Sequence, residues 1–340
     1  MLRRLKSALS AVALTLVLGG CVNVMDDVLD PAPHLQPIPA ALMAQMRTKG
    51  MTPSSPILVR VFKQESELEV WKLAASGRYE LLKTYPMCRW SGKLGPKVKE
   101  GDRQAPEGFY TVTAGLLNPK SQYYLSFNLG YPNRLERALG HTGDSLMVHG
   151  ACASVGCFAM TDEAMGEIYA LARDALAGEK KSFQVQAFPF RMTPENMARY
   201  RSDPNIAFWR NLKEGYDAFR VRGQEPKVSS CGRRYVFDVP DEIAKTLDPL
   251  AECPPSVTGG PPDLLAVSSA DEEAVKAILA TRQPSKPVAY VDGGMHPSYL
   301  QTLRKLGPSG LAKASSMRGV PISRPDALLG TASSGAPSTN

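Results

Sequence analysis

Residues 40–253 are expected to form a single β-rich α+β domain with a few packing helices, flanked by flexible segments in a chain of 340 residues. Three observations predict this fold class. Short apolar runs with β character recur through the span, and two amphipathic stretches of helical spacing interrupt them. The sequence outside is rich in Pro, Gly, Ser and Ala and buries too little apolar surface to offset its ordering entropy. Length would permit two domains, but the shift in composition argues for one folded body and a tail.

The elements follow in order. A helix is expected near Ala40–Lys49, closed by Gly50 as a C-terminal cap. Strands are expected at 56–62, 67–72 and 79–85, with Gly77 marking a hairpin between the last two. Further strands are expected at 108–113, 122–127 and 145–149, and Ser182–Phe188 alternates strictly enough to be half-buried. Asp162 is placed as the cap of a helix running to Ala177, with Met165, Ile168, Tyr169, Ala172 and Leu176 on one face. Asp203-Pro204 opens a second helix, whose Ile206, Trp209, Leu212, Tyr216 and Phe219 read as core. From about Pro254 a Pro/Gly/Ser-rich, mostly disordered tail is expected to run to Asn340, with short helices possible at 271–281 and 298–306.

The N-terminus reads as an export signal. A basic Met1–Lys6 precedes an apolar Ala8–Leu18, too short for a comfortable permanent span. The segment ends in Leu18-Gly19-Gly20-Cys21, which is similar to a bacterial lipobox. Residues 1–20 are therefore expected to be removed as a lipoprotein-type signal peptide, with Cys21 lipidated and residues 21–39 as a linker. Val22 rather than Asp after Cys21 favours outer-membrane sorting, so a periplasmic, lipid-anchored location is expected. Cleavage deletes Arg3, Arg4 and Lys6 and no acids, lowering the formal charge from +7 to +4. That mild excess suits an anionic envelope, and no nucleic-acid motif accompanies it. No other stretch is apolar enough to span a bilayer, so membrane contact is expected only through lipid.

The segment Met147–Met160 carries the chemistry. A strand delivers His149, Gly150 permits a turn, and Gly156 frees the backbone just before Cys157. A cysteine nucleophile needs a base or cation for its thiolate and N–H groups for an oxyanion, and this spacing can supply both. Three other readings compete. His149 could be a buried histidine satisfied by backbone, Cys157 could pair with Cys152 in an oxidising compartment, or His149, Cys152 and Cys157, with or without Cys88, could bind zinc. The spacing fits no compact zinc pattern, so neither metal nor organic cofactor is expected.

Ser154-Val-Gly-Cys157 preceded by His149-Gly150 resembles the active-site signature of the YkuD-type L,D-transpeptidases. Further motifs resemble the YafK-like branch: Tyr85–Gly92, Gly101–Tyr110, Ser126–Asn133 and Gly156–Asp162, in that order, within a likeness covering roughly residues 56–219. The resemblance implies a YkuD-like domain with Cys157 as nucleophile and His149 as general base. It implies that Gly150 orients the imidazole through its backbone and that Gly156 and Cys157 offer N–H groups to the oxyanion. Val155 and Ala159 stand where the wider signature has His and Arg, so the grip on substrate must differ. Arg103 is the candidate replacement cation for a substrate carboxylate, and Ser154 a candidate substrate contact.

With Cys21 assigned to lipid and Cys157 to catalysis, Cys88, Cys152, Cys231 and Cys253 remain, with three possible connectivities. Cys88–Cys152 and Cys231–Cys253 are favoured, since a Cys152–Cys157 bridge would block the nucleophile. The implied substrates are peptidoglycan stem peptides, cleaved through a thioester at the L-centre of diaminopimelate. The branch further implies hydrolytic release of a wall-attached outer-membrane protein. The alternatives are a transpeptidase that cross-links stems or attaches protein, and a catalytically decayed wall-binding lipoprotein.

Overall fold

The computed structural model describes residues 32–257 and 261–329. The expected signal peptide, Cys21 and the first part of the linker lie outside them. In chain order the strands are β1 (Ile57–Phe62), β2 (Glu67–Leu73), β3 (Tyr79–Pro86), β4 (Arg89–Trp90), β5 (Gly108–Thr113) and β6 (Leu117–Asn118). They continue with β7 (Ser126–Asn128), β8 (Met147–His149), β9 (Phe158–Ala159), β10 (Ser182–Phe188), β11 (Val228–Cys231) and β12 (Arg234–Phe237). The helices are α1 (Ala40–Thr48), α2 (Arg134–Ala138), α3 (Asp162–Ala177), α4 (Pro194–Arg199), α5 (Ile206–Arg222) and α6 (Asp241–Ala244). After them come α7 (Pro262–Thr281), α8 (Pro297–Ser315) and α9 (Pro325–Leu329).

The fold is α+β, built on two five-stranded mixed sheets and a hairpin. The first sheet runs β3-β2-β1-β10-β5, antiparallel except where β1 meets β10. The second runs β4-β9-β8-β7-β6, antiparallel except for β8 beside β9. One core cluster unites them: Val59, Val61 and Val185 from the first sheet, Phe127, Val148 and Phe158 from the second, and Ile168 and Leu171 from α3. Each of these is fully buried, and a side chain of this size contributes roughly 1.5–3 kcal/mol.

The local chemistry explains the element ends. Gly50 turns at φ 63° and its N–H bonds Arg47 O at 3.1 Å, closing α1. Gly77, at φ 74°, sits in the β2–β3 hairpin. The cap of α3 is Thr161, whose hydroxyl accepts from Ala164 N–H, while Asp162 is the first helical residue. That corrects the expected cap and frees the Asp162 carboxylate for another task. The strand expected at 122–127 is shortened because Tyr124 lies in the left-handed region at φ 69°, and Ser145, at φ 55°, likewise delays β8 to Met147.

The segment after Pro254 differs from the tail its composition suggests. α7 extends the first of the two short helices expected there, whereas α8 breaks at Gly307 (φ 70°, ψ 177°) before Pro308, so its first part ends at Leu306 as expected. Residues 287–296 return to the second sheet, where Gly294 bridges Trp90. Met295, Leu303, Leu311, Ala312 and Ile322 form a small core over the Cys88–Cys152 disulfide, which gives this segment its apolar anchorage. No helix among the described residues is long and apolar enough to cross a membrane.

Candidate active site

Register decides which side chains meet. His149 pairs with Ala159 across β8 and β9, Ala159 with Arg89 on β4, and His149 with Ser126 on β7. Paired residues share a face, so Arg89, Ala159, His149 and Ser126 form one row across the second sheet. The neighbouring row is Trp90, Phe158, Val148 and Phe127, all buried in the core. Cys157 precedes Phe158 by one residue, so alternation turns it to the His149 face.

His149 is 2% exposed, and its Nδ1 lies 2.6 Å from Gly150 O. A carbonyl oxygen only accepts, so Nδ1 carries the proton and Nε2 is left as the basic nitrogen. Burial lowers the imidazole pKa to about 4, with the Gly150 bond pulling weakly the other way. The Tyr123 ring stacks on the imidazole at 4.8 Å and is itself 40% exposed, forming a lid. Gly150 has no room for a side chain, because a β-carbon there would lie 2.7 Å from Asp162 Oδ1 and 3.0 Å from Tyr123 O.

Cys157 is half-buried and is the free cysteine among the described residues. Its Sγ accepts from Met147 N–H at 3.4 Å and lies 3.8 Å from Ser145 O. Burial pushes the thiol pKa up, against the Met147 N–H and the Lys97 charge. Both shifts favour the neutral forms, thiol and imidazole, over a thiolate–imidazolium pair.

Parallel neighbours such as β8 and β9 usually need a long crossover, yet here residues 150–157 suffice. The loop is held at several points. Cys152 is bridged to Cys88, and Ala151 N–H, at a residue with φ 62°, donates to Asp162 Oδ1 at 2.9 Å. Gly156 adopts φ 133°, and a β-carbon there would press on Leu146 Cδ2 at 3.1 Å. Because Cys88 and Cys152 are joined, neither is available to block Cys157 or to ligate zinc. Cys231, the last residue of β11, pairs with Cys253.

Both candidate substrate contacts have partners within the chain. Ser154 is 1% exposed, and its hydroxyl donates to Cys157 O at 2.7 Å and accepts from Gly156 N–H at 3.3 Å. It braces the loop instead of facing solvent, and its claim on the Gly156 N–H competes with an oxyanion role. Arg103 does not point an open guanidinium at the site: Nη2 donates to Asp292 Oδ2 at 2.9 Å. Asp292 also accepts from Gly92 N–H at 3.1 Å and from Arg89 at 3.3 Å. Burial would raise the pKa of Asp292, but the Arg103 and Gly92 bonds and the arginine charges outweigh it and hold it low. Sequence reasoning missed Tyr123, Asp162, Asp292 and Ser323. The double glycine Gly293-Gly294 was the only signal near the third, and nothing marked the fourth.

A strand-borne histidine of fixed tautomer, sharing a sheet face with a free cysteine behind a glycine turn, defines a class of thiol-containing catalytic domain. The YkuD family, described as an L,D-transpeptidase catalytic domain, matches residues 57–177. The chain is 42% identical over 186 residues to YafK of Escherichia coli strain K12, a protein named as an L,D-transpeptidase, covering 55% of this chain and 75% of that one. This chain belongs to the YkuD family of L,D-transpeptidases. Among solved structures, it is similar to the helical cell shape determining protein Pgp2 from Campylobacter jejuni, at 18% identity and TM-score 0.33, covering 58% of this chain and 80% of that one. Bd1075 of Bdellovibrio bacteriovorus is also similar, at 13% identity and TM-score 0.28, covering 48% of this chain and 58% of that one.

Proposed function

We propose that this protein is an exported cysteine amidase that opens an acyl bond in peptidoglycan stem peptides and releases wall-attached protein. Membership of the L,D-transpeptidase family sets the substrate class, peptidoglycan, and likeness to YafK favours the periplasm. The single observation that carries the chemistry is the His149 tautomer: Nδ1–H is held by Gly150 O on the face shared with Cys157.

His149 Nε2 takes the Cys157 proton as Sγ attacks the carbonyl at the L-centre of diaminopimelate. The tetrahedral oxyanion forms beside the loop N–H groups, and His149 then protonates the departing amine. The acyl group stays on Sγ as a thioester until water, activated by the same imidazole, releases it. No step calls for a metal or organic cofactor. An amine in place of water would make the enzyme a transpeptidase, and the choice of water rests on resemblance to the YafK-like branch. The free thiol and fixed imidazole speak against a decayed site despite Val155 and Ala159. Export with lipidation at Cys21, and an outer-membrane anchor, belong to the same proposal.

The test is to incubate the protein with murein sacculi carrying attached protein and to analyse the muropeptides. Loss of protein-derived remnants, absent with Cys157→Ala, supports the amidase. New Cys157-dependent cross-links would assign transpeptidation instead, and no Cys157-dependent change would overturn the reading.

A further inference from the structure

Ala159 leaves the catalytic face small where the wider family signature has an arginine, and Arg89 lies opposite it on β4, fully buried. The Arg89 guanidinium does not face a ligand. It holds the chain's own C-terminal segment: Nε donates to Ser323 O at 3.1 Å and Nη2 to Asp292 O at 2.6 Å. Ser323 Oγ in turn accepts the N–H of Ser154 at 2.9 Å, and Ser154 Oγ donates to Cys157 O. A second tether runs from Met317 N–H to Asp162 Oδ2 at 2.8 Å, on the carboxylate whose other oxygen holds Ala151 N–H.

The docking is shape-specific. Gly293 turns at φ 70°, and a β-carbon there would overlap Trp90 O, while one at Gly294 would crowd the Trp90 indole at 2.8 Å. This close approach lets Trp90 N–H reach Gly294 O and Gly294 N–H reach Trp90 O, both at 3.1 Å, and His296 N–H reach Met87 O at 3.0 Å. The segment lies beyond residues 57–177, where the family match ends.

We propose that residues 287–329 form a strap that belongs to the active site, with Ser323 as a positioning residue that sets the Cys157 loop through the Ser154 N–H. Ser323 touches neither substrate nor the reacting atoms. It fixes the carbonyl side of the loop from which Sγ projects, so its loss should lower turnover and not binding. The inference rests on Cys157 being the nucleophile.

The experiment compares full-length wild type, Ser323→Ala, Ser323→Thr and Asp292→Asn, with Cys157→Ala as control. Two readouts are needed: steady-state release of protein from sacculi, and the rate of Cys157 alkylation by iodoacetamide across pH. Ser323 is half-buried and loses only a hydroxyl in the alanine variant, so thermal melting should stay close to wild type. Ser323→Ala should lower kcat about tenfold with KM unchanged and should shift the alkylation profile. Ser323→Thr, which keeps the acceptor, should restore both to within about threefold. Asp292→Asn should act in the same direction by loosening the strap from Arg89 and Arg103. Wild-type kcat and alkylation profile in Ser323→Ala would overturn the strap proposal while leaving the nucleophile intact. If the wild-type thiol is inert and Cys157→Ala keeps full activity, the nucleophile reading falls, and the strap's role falls with it. If sacculi prove to be the wrong substrate, the alkylation series still decides the strap.

Discussion

Cys88–Cys152 and Cys231–Cys253 join residues 64 and 22 positions apart, and on loop-closure entropy they stabilise the fold by about 4 and about 3 kcal/mol respectively. They are similar in chemistry and in thermodynamic weight, but their surroundings differ. Cys152 lies in the turn between His149 and Cys157, and its bridge fixes that turn to the residue before β4. Cys231 ends β11, under a small cluster of Val236, Val239 and Leu247. The contrast teaches that in this domain a covalent link matters to chemistry according to what it orders. The loop at 150–157 has few backbone ladder bonds and relies on side chains and the bridge; the β11–β12 hairpin has its own ladder.

The largest effect should come from the proposed nucleophile and base. Cys157→Ala and His149→Ala should each lower release of wall-bound protein by roughly 10⁴-fold or more, and the double variant should lose little beyond either single. Additive losses would show that the two side chains do not act as a unit. Next in size is the active-site bridge. Cys88→Ser with Cys152→Ser should lower kcat about 100-fold and cost about 4 kcal/mol in urea unfolding. If kcat survives at a temperature where the variant is folded, the loop is shaped without its bridge and the contrast between the two disulfides collapses.

The legible parts of the molecule were those set by local pattern. Ser182–Phe188 forms β10 at the expected bounds, but it is buried on both faces instead of half-buried because it lies inside the first sheet between β1 and β5, and the apolar stripe from Met165 to Leu176 falls in α3. His149 and Cys157 stand out in the sequence because a strand end and a glycine turn bracket them. What could not be read depends on distance. Tyr123 sits over His149 because Tyr124 adopts a left-handed conformation that no propensity signals. Asp292 and Ser323 reach the site across 189 and 169 positions of sequence, from Arg103 and Ser154. Averaging the tail's composition hid them, because four or five apolar side chains over a disulfide suffice to dock it. The Arg103 ion pair was illegible for the same reason: its partner carboxylate, Asp292, lies in that tail. One local signal was overlooked, the capping box in which Asn133 and Glu136 bond each other's backbone N–H to start α2.

Acid should affect the site before the rest of the fold gives way. His149 has a folded pKa of about 4 against an ordinary value of 6.5, so the unfolded chain binds more protons between those limits. The stabilising contribution is therefore present above pH 6.5 and lost as pH falls through the folded pKa, about 3 kcal/mol in all. Urea midpoints measured from pH 7 to 4 should fall less for His149→Gln than for wild type. The acid limb of kcat/KM should lie near pH 4, because the neutral imidazole persists down to there. A limb at 6–7 would mean that water or substrate reaches Nε2 freely in the working enzyme.

The smallest catalytic effect should come from the distal bridge. Cys231→Ser with Cys253→Ser should cost about 3 kcal/mol of stability yet change kcat less than about twofold at 25 °C. The reason lies in how the hairpin is otherwise held. Asn211 on α5 donates to Tyr235 O and accepts from Tyr235 N–H, both at 2.9 Å, and the Tyr235 hydroxyl accepts from Asn133 at 2.8 Å. Tyr235 itself packs edge-on against Phe109 in the second core cluster. These contacts position β12 without the disulfide, and none of them leads to the loop at 150–157. A loss of kcat comparable to that of the Cys88–Cys152 variant, with KM and melting cooperativity retained, would show that the two ends of the domain are coupled.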